Sequence, residues 1–260
     1  MNELEAYYGK FNEEKRLLSR HGQVEYLTTM KYVHQYLETM ENPTILEVGA
    51  GTGRYSVALA NEGYDVTALE LVKSNLGVLK AKKSSVKAYQ GNALDLSFFK
   101  DNSFDMVLIF GPLYHLFTVE DKVQVLQEAK RVLKNQGIIM AAYCMNDYSI
   151  LTYGFKENHI LECLENGSVS EDYHCHGKIE NLYDYVTLDE MQDYRDKAGL
   201  RQIGIFAADG AAKYIRPTLK EMDEKTFKVF MDYHFKNCER KDLLGASAHT
   251  VDILMKANQE

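Results

Sequence analysis

Ile45-Leu46-Glu47-Val48-Gly49-Ala50-Gly51-Thr52-Gly53-Arg54-Tyr55 is an apolar run that ends on an acidic residue and breaks into a turn with glycine at every second position. A helical pattern starts at Arg54 without a gap. Strand, glycine turn and helix in this order open the first βα unit of an α/β protein, with a cofactor site at the C-terminal end of the strand. Glycine adopts positive φ and lets the backbone approach a ligand closely. The helix N-terminus behind it offers unpaired N–H groups. Gly49, Gly51 and Gly53 make G-x-G-x-G, and Arg54 stands where the dinucleotide fingerprint G-x-G-x-x-G needs its third glycine. That departure argues against a nicotinamide cofactor and so against a nicotinamide oxidoreductase.

Upstream, Leu17, Leu18, Val24, Leu27, Met30, Val33 and Leu37 recur at threes and fours, which predicts helix over residues 3–41. Asn42-Pro43 breaks it. Downstream, strands are expected at Thr44–Val48, Tyr64–Glu70, Val86–Gln90, Phe104–Phe110 and Ile138–Cys144. Helices Arg54–Ala60, Ser74–Lys83 and Glu120–Leu133 lie between them, the last closed by a turn at Asn135-Gln136-Gly137. Such alternation implies parallel βαβ units and a doubly wound sheet. Right-handed crossovers bring the strand C-termini to one edge. After residue 145 the rhythm is lost. Residues 146–186, rich in Tyr, His, Asn and Glu, read as an insertion over the site. Thr187–Gly199 reads as a helix with a Thr187/Glu190 capping box, Leu200–Ala207 as a strand, residues 213–247 as a second, helical insertion, and His249–Lys256 as the last strand. The expected organisation is one domain over 1–260. It comprises an N-terminal helical segment (1–42), a cofactor-binding core (43–145), a lid (146–186) and the C-terminal part of the sheet (187–260).

Net charge is −8, from 30 basic and 38 acidic residues. A large nucleic-acid partner wants a basic face, so this balance argues against one. Cys144, Cys163, Cys175 and Cys238 form no C-x-x-C pair, which fits a reducing cytoplasm and no disulfide scaffold. Met1-Asn2-Glu3-Leu4-Glu5 lacks the apolar region of a signal peptide. The longest apolar run, Ile138–Met145, is too short to span a bilayer. A cytoplasmic protein without a membrane partner is expected.

Three further pieces join the glycine turn. Glu70 ends the second strand, 21 residues after Gly49, where a carboxylate suits the two hydroxyls of an adenosine ribose and repels a 2′-phosphate. Gly91-Asn92-Ala93-Leu94 follows the third strand, and the Asn92 amide suits an adenine edge. Phe110-Gly111-Pro112-Leu113-Tyr114-His115-Leu116 stops the fourth strand and sets a tyrosine and a histidine where a substrate would meet a cofactor.

In this order and spacing the four pieces resemble the class I S-adenosylmethionine-dependent methyltransferases, over residues 44–144 and more loosely over 187–256. Arg131-Val132-Leu133-Lys134-Asn135-Gln136-Gly137 resembles that family's R-V-L-K-P-G-G turn, with Asn135 and Gln136 departing from it. Gly111–Leu116 resembles a bacterial subgroup of small methyltransferases. The resemblance implies a Rossmann-like sheet of seven mostly parallel strands, the last inserted antiparallel beside the fifth. It implies S-adenosylmethionine as cofactor and S-adenosylhomocysteine as product. Glu47 and the backbone of Gly49 and Gly51 would hold the methionine part, Glu70 the ribose, Asn92 and Ala93 the adenine, and the Phe110 carbonyl the amino group. Asn92 stands where the family often has aspartate. Ala50, Gly53, Leu71, Leu94 and Gly111 complete the cofactor-binding set, and Tyr8, beside Tyr7, would close over the cofactor from the N-terminal segment.

Methyl transfer is an in-line displacement in which positioning dominates, and a base is needed only for a nucleophile that arrives protonated. His115 is the candidate base, since its unperturbed pKa lies near neutrality; its other reading is a histidine that packs or caps the segment after strand four. Tyr114 would shape the pocket or orient the substrate. His174-Cys175-His176 does not match zinc-ligand spacing, and no metal is expected. By resemblance, methyltransferases of nucleobase amino groups carry Asn or Asp, two prolines and an aromatic after strand four. Gly111-Pro112-Leu113-Tyr114 differs, which favours methylation of an O or N atom of a small molecule. The competing readings are a non-catalytic S-adenosylmethionine sensor and an RNA methyltransferase.

Overall fold

The computed structural model describes residues 19–177 and 182–257. Its frame is a seven-stranded sheet in the order β3-β2-β1-β4-β5-β7-β6. The strands are β1 (Thr44–Val48), β2 (Asp65–Glu70), β3 (Lys87–Gln90), β4 (Phe104–Ile109), β5 (Leu133–Cys144), β6 (Leu200–Ala207) and β7 (His249–Lys256). β1 to β5 are parallel, and β7 runs antiparallel between β5 and β6. This is the Rossmann-like, mostly parallel sheet that the strand pattern and the resemblance implied.

The central strands β1 and β4 are mostly apolar, Thr44, Glu47 and Asp105 excepted, because both faces of the sheet are covered. Side chains alternate between faces along a strand. Leu46, Val107, Ile109, Ile139 and Ala141 therefore join one core, while Ile45, Met106, Leu108, Ile138 and Met140 join the other. The first core is roofed by α4 (Val119–Val132) through Val125, Leu126 and Ala129, and by α7 (Leu188–Lys197) through Met191 and Tyr194. The second is roofed by α1 (Arg20–Leu37) through Met30, Val33 and Leu37, and by α2 (Arg54–Asn61) through Tyr55 and Leu59. α3 (Lys73–Ala81) packs Leu79 against Ala50 and Ala68.

Local signals set the helix ends. Ser19 caps α1, Thr118 caps α4, and Thr187 with Glu190 forms the expected capping box of α7. α1 stops at Leu37 rather than at residue 41. Residues 1–18 of the expected N-terminal helix, Tyr7 and Tyr8 among them, lie outside the described residues.

β5 departs from expectation. It begins at Leu133, directly after α4, and the turn expected at Asn135-Gln136-Gly137 is an irregular part of the strand. Leu133 pairs with Phe104 and Ile138 with Met106, with a register shift between them. Lys134 Nζ holds the Asp105 carboxylate at 2.7 Å. A Cβ at Gly137 would come within 2.7 Å of the Asp105 carbonyl. The chain is thus laid against the edge of β4, and only glycine fits so close.

The two insertions fold as short helices. Residues 146–186 carry α5 (Asn146–Ser149), a π-helical turn (Ile150–Lys156) and α6 (Ile160–Glu165), gathered on Ile150, Cys163, Val169 and Cys175. The second carries α8 (Arg216–Glu221) and α9 (Glu224–Asn237), whose Leu219, Phe227 and Met231 pack on Val24 of α1. Among the described residues no helix is long and apolar enough to cross a membrane.

Candidate functional site

Register brings the sequence pieces together. Val48 lies beside Leu69 and Ile109, and Glu70 beside Gln90, so the C-terminal ends of β1 to β4 form one rim. The glycine turn, Glu70-Leu71, the Asn92 loop and the Phe110 turn all leave from that rim.

The turn is left-handed at each glycine, with φ of 72° at Gly49, 56° at Gly51 and 81° at Gly53. An L side chain is disfavoured at such φ. The amides of Gly49 and Ala50 both donate to the Leu69 carbonyl, at 2.8 and 3.0 Å. Space is also short: a Cβ on Gly49 would stand 2.5 Å from Pro112 Cδ. The glycine turn and the segment after β4 are in contact there, and a Cβ on Gly111 would stand 3.2 Å from the Gly49 carbonyl oxygen.

Two carboxylates organise this turn. Glu70 is 4% exposed; its two oxygens accept from the Gly51 and Val72 amides, each at 2.7 Å. Glu47 lies beneath, 2% exposed. It accepts from the Ser56 amide at 2.9 Å and from the Ser56 hydroxyl, and so ties the end of β1 to the first turn of α2. Burial pushes the Glu47 carboxyl up to about 7, with the Ser56 bonds opposing and the Glu70 charge adding. An acid whose folded pKa lies above its unfolded value of 4.5 is most stabilising while protonated; that contribution is lost as pH rises through about 7. Glu47→Gln keeps an acceptor for Ser56 and removes the charge. Thermal melts from pH 5 to 8 are therefore expected to show Glu47→Gln gaining a few degrees on the parent as pH rises. A gap that is constant or shrinks contradicts this.

The residues that follow β2 and β3 differ in exposure. Asn92 is exposed and its Oδ1 accepts from the Leu94 amide at 3.1 Å, an Asx turn. Ala93 and Leu94 are partly buried against the core, and Leu71 is 37% exposed.

After β4 the chain makes a single 3₁₀ turn, Pro112–His115. Tyr114 donates its hydroxyl to the Phe110 carbonyl at 2.8 Å. Phe110 packs on Tyr55 at 4.9 Å. The Leu182 carbonyl lies 2.6 Å from His115 Nδ1. That carbonyl can only accept, so Nδ1 carries a proton, and the neutral imidazole has its lone pair on Nε2. Burial lowers the His115 pKa, against the Leu182 bond. Tyr183 stacks on Tyr114 at 5.7 Å and lies 5.2 Å from His115. It also lines a cavity of about 310 Å³ within the first insertion, together with Tyr153, Tyr185, Cys163, Cys175 and His176.

Two arrangements here escaped the sequence. One is a clamp. Lys122 on α4 reaches the Leu116 carbonyl at 2.5 Å and the Asp184 carboxylate at 2.6 Å, and the Asp184 amide donates to the Tyr114 carbonyl at 2.8 Å. The other is a buried ionic cluster of Glu25, Asp209, Lys213 and His249, with the His249 ring 6.0 Å from Tyr114. The pairs Lys122–Asp184, Glu25–Lys213 and Asp209–His249 are each dozens of residues apart, so no spacing announces them. His174 of the His174-Cys175-His176 stretch bonds Glu190 at 3.0 Å.

Comparison with known proteins agrees with this geometry. The family model described as a methyltransferase domain matches residues 46–141. A demethylmenaquinone methyltransferase of Bacillus licheniformis is 33% identical over 134 residues, 49% of this chain; the match spans about half, 54%, of that relative's length. A ubiquinone biosynthesis O-methyltransferase of Hydrogenovibrio crunogenus is 26% identical over 196 residues, 74% of this chain and 73% of its own. Among solved structures, an S-adenosylmethionine-dependent methyltransferase of Thermotoga maritima, described as a possible histamine N-methyltransferase, superposes with a TM-score of 0.61 at 20% identity, over 96% of this chain and 97% of that one. Another S-adenosylmethionine-dependent methyltransferase, from Methanosarcina mazei, superposes at 0.59 with 17% identity, over 88% and 98%.

Proposed function

We propose that residues 46–141, which match the model of a methyltransferase domain, bind S-adenosylmethionine and that the chain moves a methyl group to an O or N atom of a small molecule. The observation that carries this is the shared rim: a left-handed glycine turn, a buried strand-end carboxylate and an exposed asparagine loop lie side by side at the C-terminal ends of β1, β2 and β3. A carboxylate at the end of β2 fits a ribose diol and repels a phosphate there.

The cofactor supplies an electrophilic methyl on a sulfonium. In this reading the backbone of Gly49 and Gly51 approaches the methionine part, with Ala50 and Gly53 shaping the turn and Gly111 closing it from the β4 side. Glu70 takes the ribose beside Leu71, and Asn92, Ala93 and Leu94 take the adenine. A carbonyl oxygen has two lone pairs, so Phe110 serves the amino group while it holds the Tyr114 hydroxyl. Glu47 acts from below, by fixing the start of α2. Tyr114 and His115 form the wall that meets the acceptor. His115 fastens the insertion through Leu182 and is the candidate base for an acceptor that arrives protonated.

An acceptor of small size is supported by the net charge of −8, by the tyrosine-lined cavity of about 310 Å³ and by the small-molecule methyltransferases among the relatives. The test is incubation with S-adenosylmethionine labelled in its methyl group and a metabolite extract, followed by identification of labelled products. Transfer to a low-molecular-weight compound is expected. Intact S-adenosylhomocysteine binding with no labelled product would leave a sensor instead.

A further inference from the structure

Four ionisable side chains from three distant segments meet beyond Tyr114. Glu25 comes from α1, Asp209 and Lys213 follow β6, and His249 opens β7. Asp209 is fully buried. Its Oδ1 accepts from the His249 amide at 2.9 Å and from Ser247 Oγ at 2.8 Å, and its Oδ2 faces His249 Nδ1 at 2.8 Å. Lys213 Nζ stands 3.1 Å from His249 Nδ1, 3.4 Å from Asp209 Oδ2 and 3.9 Å from Glu25 Oε2. The Glu25, Asp209 and His249 ligand atoms lie within 4.8 Å of one another, a spacing that suits a metal ion. The Lys213 ammonium occupies that cationic position itself.

Among the described residues, two carboxylates face an ammonium and an imidazole. Burial and Lys213 act against protonation of His249, but Glu25, Cys144 and Asp209 outweigh them and raise its pKa to about 10. At neutral pH the ring is therefore an imidazolium. Nδ1–H is directed to Asp209. Nε2–H takes no hydrogen-bond partner among the described residues, and it is not one of the sealed, unpaired polar atoms. His249 pairs with Cys144, the last residue of β5, and so lies on the rim where β4 and β5 end. Its ring is 6.0 Å from Tyr114, which stacks on Tyr183 of the insertion cavity.

Resting on the methyl-donor reading above, we propose that His249, held by Asp209, is the anchoring residue of the acceptor site and that the acceptor carries a carboxylate received by Nε2–H. A protonated imidazole with buried counter-ions cannot act as a base; it binds an anion. A carboxylate is already ionised at neutral pH, whereas a phenol docked here would still have to lose its proton. The tyrosine wall beside it suits a flat, apolar body joined to that carboxylate.

The probes are benzoate and its neutral isostere benzamide, titrated into protein first saturated with S-adenosylhomocysteine. Dissociation constants are read together with the imidazole nitrogen resonances of His249. Benzoate is expected to bind at least ~10-fold tighter than benzamide, as one charge-assisted hydrogen bond provides, and to move the Nε2 signal. In His249→Gln the two probes are expected to bind within ~2-fold of each other. The comparison in the parent protein stands even if the variant does not fold. Equal affinity of the two probes, absence of benzoate binding, or an unmoved His249 resonance overturns the proposal. Those outcomes with S-adenosylhomocysteine still bound leave the donor reading intact, and loss of S-adenosylhomocysteine binding overturns the donor reading instead.

Discussion

Glu70→Ala is expected to weaken S-adenosylhomocysteine binding at least ~100-fold, because two charge-assisted hydrogen bonds of ~1.5 kcal/mol or more are lost from the ribose. An ionised carboxylate offers about four acceptor sites. The Gly51 and Val72 amides take two of them. The substitution also orphans those two amides, so the glycine turn loosens as the ribose loses its partner. Glu70→Gln separates the two effects. Its amide oxygen still accepts one backbone bond, but the charge is gone, and an intermediate loss of ~10-fold is expected. Isothermal calorimetry on the folded variants reads both. Unchanged affinity in Glu70→Ala removes the ribose assignment.

The cofactor half of this molecule was legible because its signals are local. Three glycines at alternate positions need left-handed φ, and the structure has it at all three. Strands such as Phe104–Ile109 are apolar but for Asp105 because both sheet faces are covered, and that shows in composition alone. The antiparallel insertion of β7 is different: nothing in His249–Lys256 marks its partner, and the resemblance supplied it. Local reading misjudged Asn135-Gln136-Gly137, where turn-forming residues lie extended because β4 offers an edge and Asp105 a bond to Lys134. The groups beyond Tyr114 were illegible for a physical reason. They are paired across the fold, Lys122 with Asp184 and His249 with Asp209 and Glu25. Each looks in the sequence like an ordinary solvated residue.

Lys122 shows how far that appearance misleads, and its replacement is expected to have the largest effect on stability. On an amphipathic helix it reads as a polar-face residue, yet it is 1% exposed. Its ammonium holds the Leu116 carbonyl and Asp184 together. Lys122→Met keeps much of the side-chain bulk but leaves the Asp184 carboxylate, 14% exposed, without its cation. Breaking one side of a buried pair costs about 3 kcal/mol or more, which corresponds to a fall of ~10 °C in Tm for a chain of this size. The insertion should open before the sheet does, since Asp184 also joins Tyr114 and Gly177. Limited proteolysis is then expected to cut residues 146–186 in Lys122→Met at temperatures where the parent resists. Replacing both partners, as in Lys122→Met with Asp184→Leu, removes the orphaned charge and should recover most of the lost Tm, because an apolar pair of similar volume is often neutral. A double variant no more stable than Lys122→Met would place the loss in the Leu116 bond, not in the ion pair.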